Sequence, residues 1–176
     1  MTNKEKKEYE KQLLDQLDQT KKNSDFDSYK KYIGLDIKDW PKFKIDWDHD
    51  PNNFYYALDS RDPNHFKNEY PKGVSLATVK LEDLDTQLNS NSRRTNEEIW
   101  DTGDTSVASS INHWVKGKKM TPPIIEVHKN GTELVISGGN HRLAVCRAIN
   151  ESIVTILVPN DQKKKVSKIL KTLDWI

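Results

Sequence analysis

The sequence predicts an α/β domain (α+β in layout) on a small mixed sheet over residues 71–160, with a helical and irregular extension over 1–70 and an amphipathic C-terminal helix over 161–176 packed on the domain. Three stretches carry that expectation. Residues 134–149 (LVISGGNHRLAVCRAI) run from a short β-branched segment through two glycines into Ala144, Val145, Ala148 and Ile149, whose three-to-four-residue spacing lines one helix face. Upstream, Asn130-Gly131 between two apolar runs is the strongest short-range hairpin signal in the chain. Downstream, Ile153 to Val158 is apolar and β-branched at nearly every position, as in a strand that is central or covered on both faces.

Composition sets the bounds. With 34% hydrophobic residues in 176 and a mean hydropathy of -0.87, a core is available for only part of the chain. No apolar run approaches the roughly 20 residues that span a bilayer, and the opening MTNKEKKEYEKQ lacks the apolar core of a signal peptide. A cytoplasmic protein without membrane contact is expected. Cys146 is the single cysteine, so no intrachain disulfide forms. It reads as a small buried core residue. The net charge of +1 supplies no global attraction to nucleic acid, so any such binding must use a local patch.

Taken in order, residues 1–33 alternate in charge, with Tyr9, Leu13 and Leu17 four apart and then Phe26, Tyr29, Tyr32 and Ile33 before Gly34. This predicts a helix docked on the domain, with a helix for a protein partner or for dimerisation as the alternative. Trp40 to Tyr70 has no sustained period and predicts irregular structure with short elements. Asp46, Asp48, His49 and Asp50 suggest a metal loop, but an EF-hand frame from Asp46 puts Pro51 at the glycine position and Ala57 at the glutamate position, so a polar turn capped by Asp50-Pro51 is preferred. The aromatics Trp40, Phe43, Trp47, Phe54, Tyr55 and Tyr56 suit packing against the domain, or stacking on a base.

Val74 begins a strand, and Leu81 onward reads as its exit into a polar surface loop at Asn89–Arg94. Asp104 or Thr105 can cap a helix with apolar face Val107, Ala108, Ile111, Trp114 and Val115, stopped by Gly117. Ser106, Ser109 and Ser110 at its start either cap it or bond a ligand. Pro122-Pro123 admit the strand 124–128, which should pair antiparallel with 132–136. Val166, Ile169, Leu170 and Leu173 share one face of a helix predicted over Lys163–Ile176, with lysines mostly elsewhere.

The chemistry concentrates where the hairpin meets the next helix. Gly138 and Gly139 admit dihedrals closed to other residues and let a ligand approach the main chain, while the first amides of a helix have no internal acceptor. Such a terminus attracts anions. His141 and Arg142 then stand in the first turn, where the helix dipole disfavours a cation unless an anion is bound nearby. The expected site is a phosphate cradle formed by Gly138, Gly139, Asn140, His141 and Arg142. Arg142 offers a planar fork of donors, and His141 binds the anion or shuttles a proton. The alternative is a helix cap with a surface ion pair.

Gly139, Asn140, His141 and Arg142 form a G-x-H-R motif that resembles the signature of the ParB/sulfiredoxin superfamily. The surrounding order is similar too: Val74 to Asp85 resembles that family's opening strand, Thr105 to Trp114 its first helix, Met120 to Val127 its second strand, and Ser152 to Pro159 its closing strand. The resemblance implies a sheet of ParB/sulfiredoxin-like topology. It implies binding of a nucleoside triphosphate with Mg2+, followed by hydrolysis or phosphate transfer, and it places Arg93 and Arg94 near the bound phosphates; solvated surface arginines are their alternative reading. Catalytic roles fall to His141 and Arg142, with Glu82, Asp83, Asp85, Asp101 and Asp104 as candidate bases. Asn140 stands where sulfiredoxins carry their reactive cysteine, which disfavours sulfinic-acid reduction. Asn140-His141 also departs from the G-E-R-R motif of CTP-binding ParB proteins. Two other functions stay open: a ParB-like metal-dependent nuclease acting on DNA or RNA, and a noncatalytic nucleic-acid or protein-binding regulator of a phage or mobile element.

Overall fold

The computed structural model describes residues 25–58, 62–101 and 103–176. Residues 1–24 of the helix predicted over 1–33 lie outside them; residues 25–29 are helical and lead into a 3₁₀ turn at Lys30–Tyr32. Five strands, β1 (Val74–Lys80), β2 (Ile124–Val127), β3 (Leu134–Gly138), β4 (Ile153–Pro159) and β5 (Asp174–Trp175), form one mixed sheet in the order β3-β2-β4-β1-β5. The most apolar strand, β4, is central, and every residue from Val154 to Pro159 is buried. It runs antiparallel to β1, from Val74 opposite Pro159 to Lys80 opposite Ile153, and parallel to β2 at Ile124 and Leu157. The Asn130-Gly131 hairpin joins β2 to β3 as the sequence predicts. Gly131 takes φ 76°, and the Asn130 side-chain oxygen accepts from the amides of Thr132 and Glu133.

Side-chain alternation sends the sheet residues to two clusters. Ala77, Val79, Ile125, Val154, Ile156 and Val158 join the larger one with the helices Asp104–Val115 and Asn140–Ala148, whereas Ile124 and Leu157 meet Phe54, Ala57 and Tyr70 in the smaller. Besides the helical residues 25–29, five α-helices lie within the described residues: α1 (Pro63–Glu69), α2 (Leu81–Gln87), α3 (Asp104–Val115), α4 (Asn140–Ala148) and α5 (Lys163–Ile169). Leu143, Ala144, Val145 and Cys146 of α4 are all 1% exposed or less. The helix is enclosed on nearly every side, and only its two ends can present chemistry.

Two expectations are corrected. The stretch after Lys80 is the helix α2 instead of a strand exit. Leu81 and Leu84, three apart, both turn into the core, and Glu82 and Asp83 favour the positive end of the helix dipole in the first turn. The C-terminal helix is also shorter than 161–176. It ends at Ile169, and the chain turns to lay β5 along the outer edge of β1, with the Ile176 amide donating to the Leu76 carbonyl. The Asp83 carboxylate fixes that turn by accepting from the Thr172 amide (2.7 Å) and hydroxyl (2.8 Å). Pairing the exposed edge of β1 satisfies backbone groups that a longer helix would leave to solvent.

The 40–58 segment is part of the core. Trp47 and Phe43 pack on Trp114, at 5.5 and 6.2 Å between ring centroids, and the Trp114 indole donates to the Asp46 carbonyl. The Trp40 and Trp100 indoles both donate to the Leu35 carbonyl. Packing is thus the use made of Trp40, Phe43, Trp47 and Phe54. The Asp50 cap is present as expected: its carboxylate accepts from the Asn52 amide at the head of a 3₁₀ helix, Pro51–Leu58.

Candidate functional site

An open cleft of about 560 Å³ lies where the N-terminus of α4 meets the polar face of α3. Helical spacing on α3 sends Val107, Ala108, Ile111 and Trp114 into the core and leaves Ser106, Ser109, Ser110 and His113 on the cleft side. Gly139 and His141 of α4 line the same cleft, and the 48–56 segment with Lys119–Thr121 closes it. Both helices begin on a left-handed glycine without a side-chain cap, Gly103 at φ 66° and Gly139 at φ 89°. The first amides of α4 have no intrahelical acceptor, whereas in α3 the Thr105 amide donates to the Asp104 side chain at 2.6 Å and the Ser106 amide to the Gly103 carbonyl at 2.9 Å. The two starts touch, because a Cβ on Gly103 would stand 2.2 Å from His141 Nε2.

The glycine pair has a packing role as well. A Cβ on Gly138 would fall 2.0 Å from the Ala57 carbonyl oxygen, and one on Gly139 would fall 2.8 Å from Pro123. Gly138 completes β3, so the turn itself rests on Gly139. Arg142 is only 5% exposed; its Nη2 donates to the Ala57 carbonyl at 3.0 Å, and its Nη1 donates to the Thr121 carbonyl. A buried guanidinium needs such acceptors. Arg142 therefore fastens the wall of the cleft to α4, while its edge lines the cleft. Asn140 Oδ1 is buried without a hydrogen-bond partner.

The remaining sequence candidates separate. Arg93 and Arg94 line a different cleft, with Glu82, Asp85 and Arg147, by the far end of α4. Arg147 lies eight residues from Gly139, roughly 12 Å along the helix axis. None of Glu82, Asp83, Asp85, Asp101 and Asp104 lines the α3–α4 cleft, where Asp48 is the one carboxylate among the described residues. Asp48 accepts from the Asp50 amide (2.9 Å) and the Asn53 side-chain amide (2.7 Å). Among the described residues no group of three or more His, Cys, Asp and Glu is placed to hold a metal ion. Cys146 is fully buried, and that burial pushes its thiol far above the ordinary range, so it supplies no thiolate.

His113, Lys119 and Asn53 also line the cleft. The signal for His113 was present, since it continues the Ser106, Ser109, Ser110 stripe at helical spacing. Its Nε2 lies 3.0 Å from the Lys119 carbonyl, which can only accept, so that nitrogen carries the proton and the neutral ring keeps its lone pair on Nδ1. Burial holds the His113 pKa below its ordinary value; the Lys119 contact opposes this, and the charges of Lys118 and Lys116 add to it.

No helix among the described residues is long and apolar enough to cross a membrane. The fold and cleft together define a mixed α/β protein with a polar cleft at two helix N-termini. Beyond that class, no family model, curated protein or solved structure matches the chain.

Proposed function

We propose that the chain is a ParB/sulfiredoxin-like protein that binds a nucleoside triphosphate in the α3–α4 cleft and hydrolyses it or transfers its phosphate. One observation carries the reading: the glycine-led N-terminus of α4 and the hydroxyl stripe of α3 converge on a single cleft that also holds His141 of the G-x-H-R motif. Helix N-termini and hydroxyls suit phosphate oxygens, and Lys119 adds a cation at the wall. Tyr56, exposed at the rim, offers a ring face for a base. Arg142 acts in this reading by holding the Ala57 and Thr121 carbonyls, which shapes the cradle from behind.

Among the described residues no dedicated cation cage is built, because Asp48 is the one carboxylate they bring to the cleft and both its oxygens already accept hydrogen bonds. Mg2+ in this reading arrives with the triphosphate, as is usual for that ion. It would supply charge neutralisation there.

Calorimetric titration of ATP, CTP, GTP and UTP with Mg2+ tests the proposal on the wild type and Ser106→Glu. An acid in the first turn of α3 suits the helix dipole, so the variant stays folded while repelling phosphate. Saturable binding of at least one nucleotide, weakened about tenfold or more in the variant, is the expected result. Absence of binding by all four, or equal affinity in the variant, overturns it. Divalent-metal-dependent cleavage of DNA or RNA, lost in His141→Ala, would put a nuclease in its place.

A further inference from the structure

The far end of α4 opens on a second cleft, of about 770 Å³, lined by Lys80, Arg93, Arg94 and Arg147 and by the apolar side chain of Ile153. Arg147 is a built feature of this cleft. Its side chain is 9% exposed, and its Nε and Nη2 grip both Asp85 oxygens at 2.7 to 3.0 Å. The opposite edge of the guanidinium, Nη1, is buried and has no hydrogen-bond partner. A buried charged donor left unpaired is unfavourable, and an acceptor entering the cleft would relieve it. Asp85 also anchors a second guanidinium, since its carbonyl accepts from Arg93 Nη1 at 3.4 Å. Glu82 and Glu151 line the cleft as well and exclude a ligand of unlimited negative charge. Ile153, 52% exposed, is one of the few large apolar side chains left to solvent among the described residues, and it lines the cleft.

We propose that this cleft binds a phosphate monoester, with its phosphoryl oxygens on Arg147 Nη1 and Arg93 and its organic part against Ile153. Three non-ester oxygens can engage guanidinium groups from several directions, where a carboxylate offers two oxygens in one plane. The site is separate from the nucleotide cleft and does not depend on it.

The test is an amide-resolved NMR titration of the full chain with inorganic phosphate and with phenyl phosphate. Wild type, Arg93→Ala/Arg94→Ala, Arg147→Lys and Ser106→Glu are compared. Saturable shifts at residues 93–96 and 147–153 are expected, with phenyl phosphate binding about threefold or more tightly than inorganic phosphate. Affinity should fall about tenfold in the double arginine variant and in Arg147→Lys, and should be unchanged in Ser106→Glu. If Arg147→Lys fails to fold, the double variant decides the matter, since Arg93 is exposed and Arg94 only partly buried. No saturable shift in these segments, or equal affinity in the folded double variant, overturns the proposal. Equal binding of the two phosphates overturns the apolar contact. Loss of nucleotide binding in the first cleft leaves all these readings unaffected.

Discussion

His113 shows how one residue's setting decides its chemistry. Desolvation at the cleft wall disfavours the imidazolium, and Lys116 and Lys118 repel it, so the folded-state pKa lies below the ordinary 6.5. The ring is then neutral at pH 7, with Nδ1 as its acceptor. The linkage sign follows: below pH 6.5 the unfolded chain takes up the proton first, so stability is lost as pH falls from there through the lower folded-state midpoint. Proton NMR should place the His113 midpoint below 6.5, and His113→Gln should flatten the acid side of the stability profile. A midpoint at or above 6.5 would contradict this account. Arg142 makes the parallel point for charge. Its type and position in the motif suggest a phosphate fork, yet its donors reach two main-chain carbonyls that are distant in sequence.

At the level of elements, the cleft depends on how the 51–58 segment is pinned against β3 and α4. The Ala57 carbonyl rests on Gly138 and receives Arg142 Nη2. Gly138→Ala would drive a methyl group into that carbonyl at 2.0 Å, a main-chain contact that cannot swing aside. The expected destabilisation is about 1–3 kcal/mol, typical of overpacking, read as a lower urea midpoint with an unchanged slope. Stability equal to wild type would show that the segment is not held there. The elements most visible in the sequence were those whose signals are local. The hairpin rests on Asn130-Gly131, α3 on a clean apolar stripe, and β4 on its unbroken apolar run. α2 was missed because LEDLD offers a single turn of pattern, and β5 because a two-residue strand has no period.

For the molecule as a whole, the boundary between extension and domain dissolves into one core. Tyr32, Trp40, Ile45 and Trp47 belong to the same buried cluster as Val107, Ile111 and Trp114, and Phe54 and Ala57 cover the other face of the sheet at Ile124 and Leu157. A chain begun at residue 71 would expose Trp114 and Leu157 to water. Loss of a buried large side chain's packing is worth about 2–5 kcal/mol at each such site, comparable in sum with the total stability of a small domain. Such a chain should therefore lose cooperative thermal unfolding and near-ultraviolet dichroism. A sharp transition with native dichroism would establish instead that the 71–176 region stands alone.

By itself the sequence determined the strand-turn-helix at 134–149, the hairpin, the central strand and the glycine-led start of α4, because each is written in neighbouring residues through periodicity, turn chemistry and helix ends. Tertiary structure alone decided which polar groups share a cleft. It set His113, Asp48, Asn53 and Lys119 beside His141, carried Arg93 and Arg94 to the other end of α4, and turned Arg142 inward. Those outcomes depend on where main-chain carbonyls and packed aromatics from residues 35–58 come to rest, and no local pattern encodes contacts between segments that meet only when the core closes.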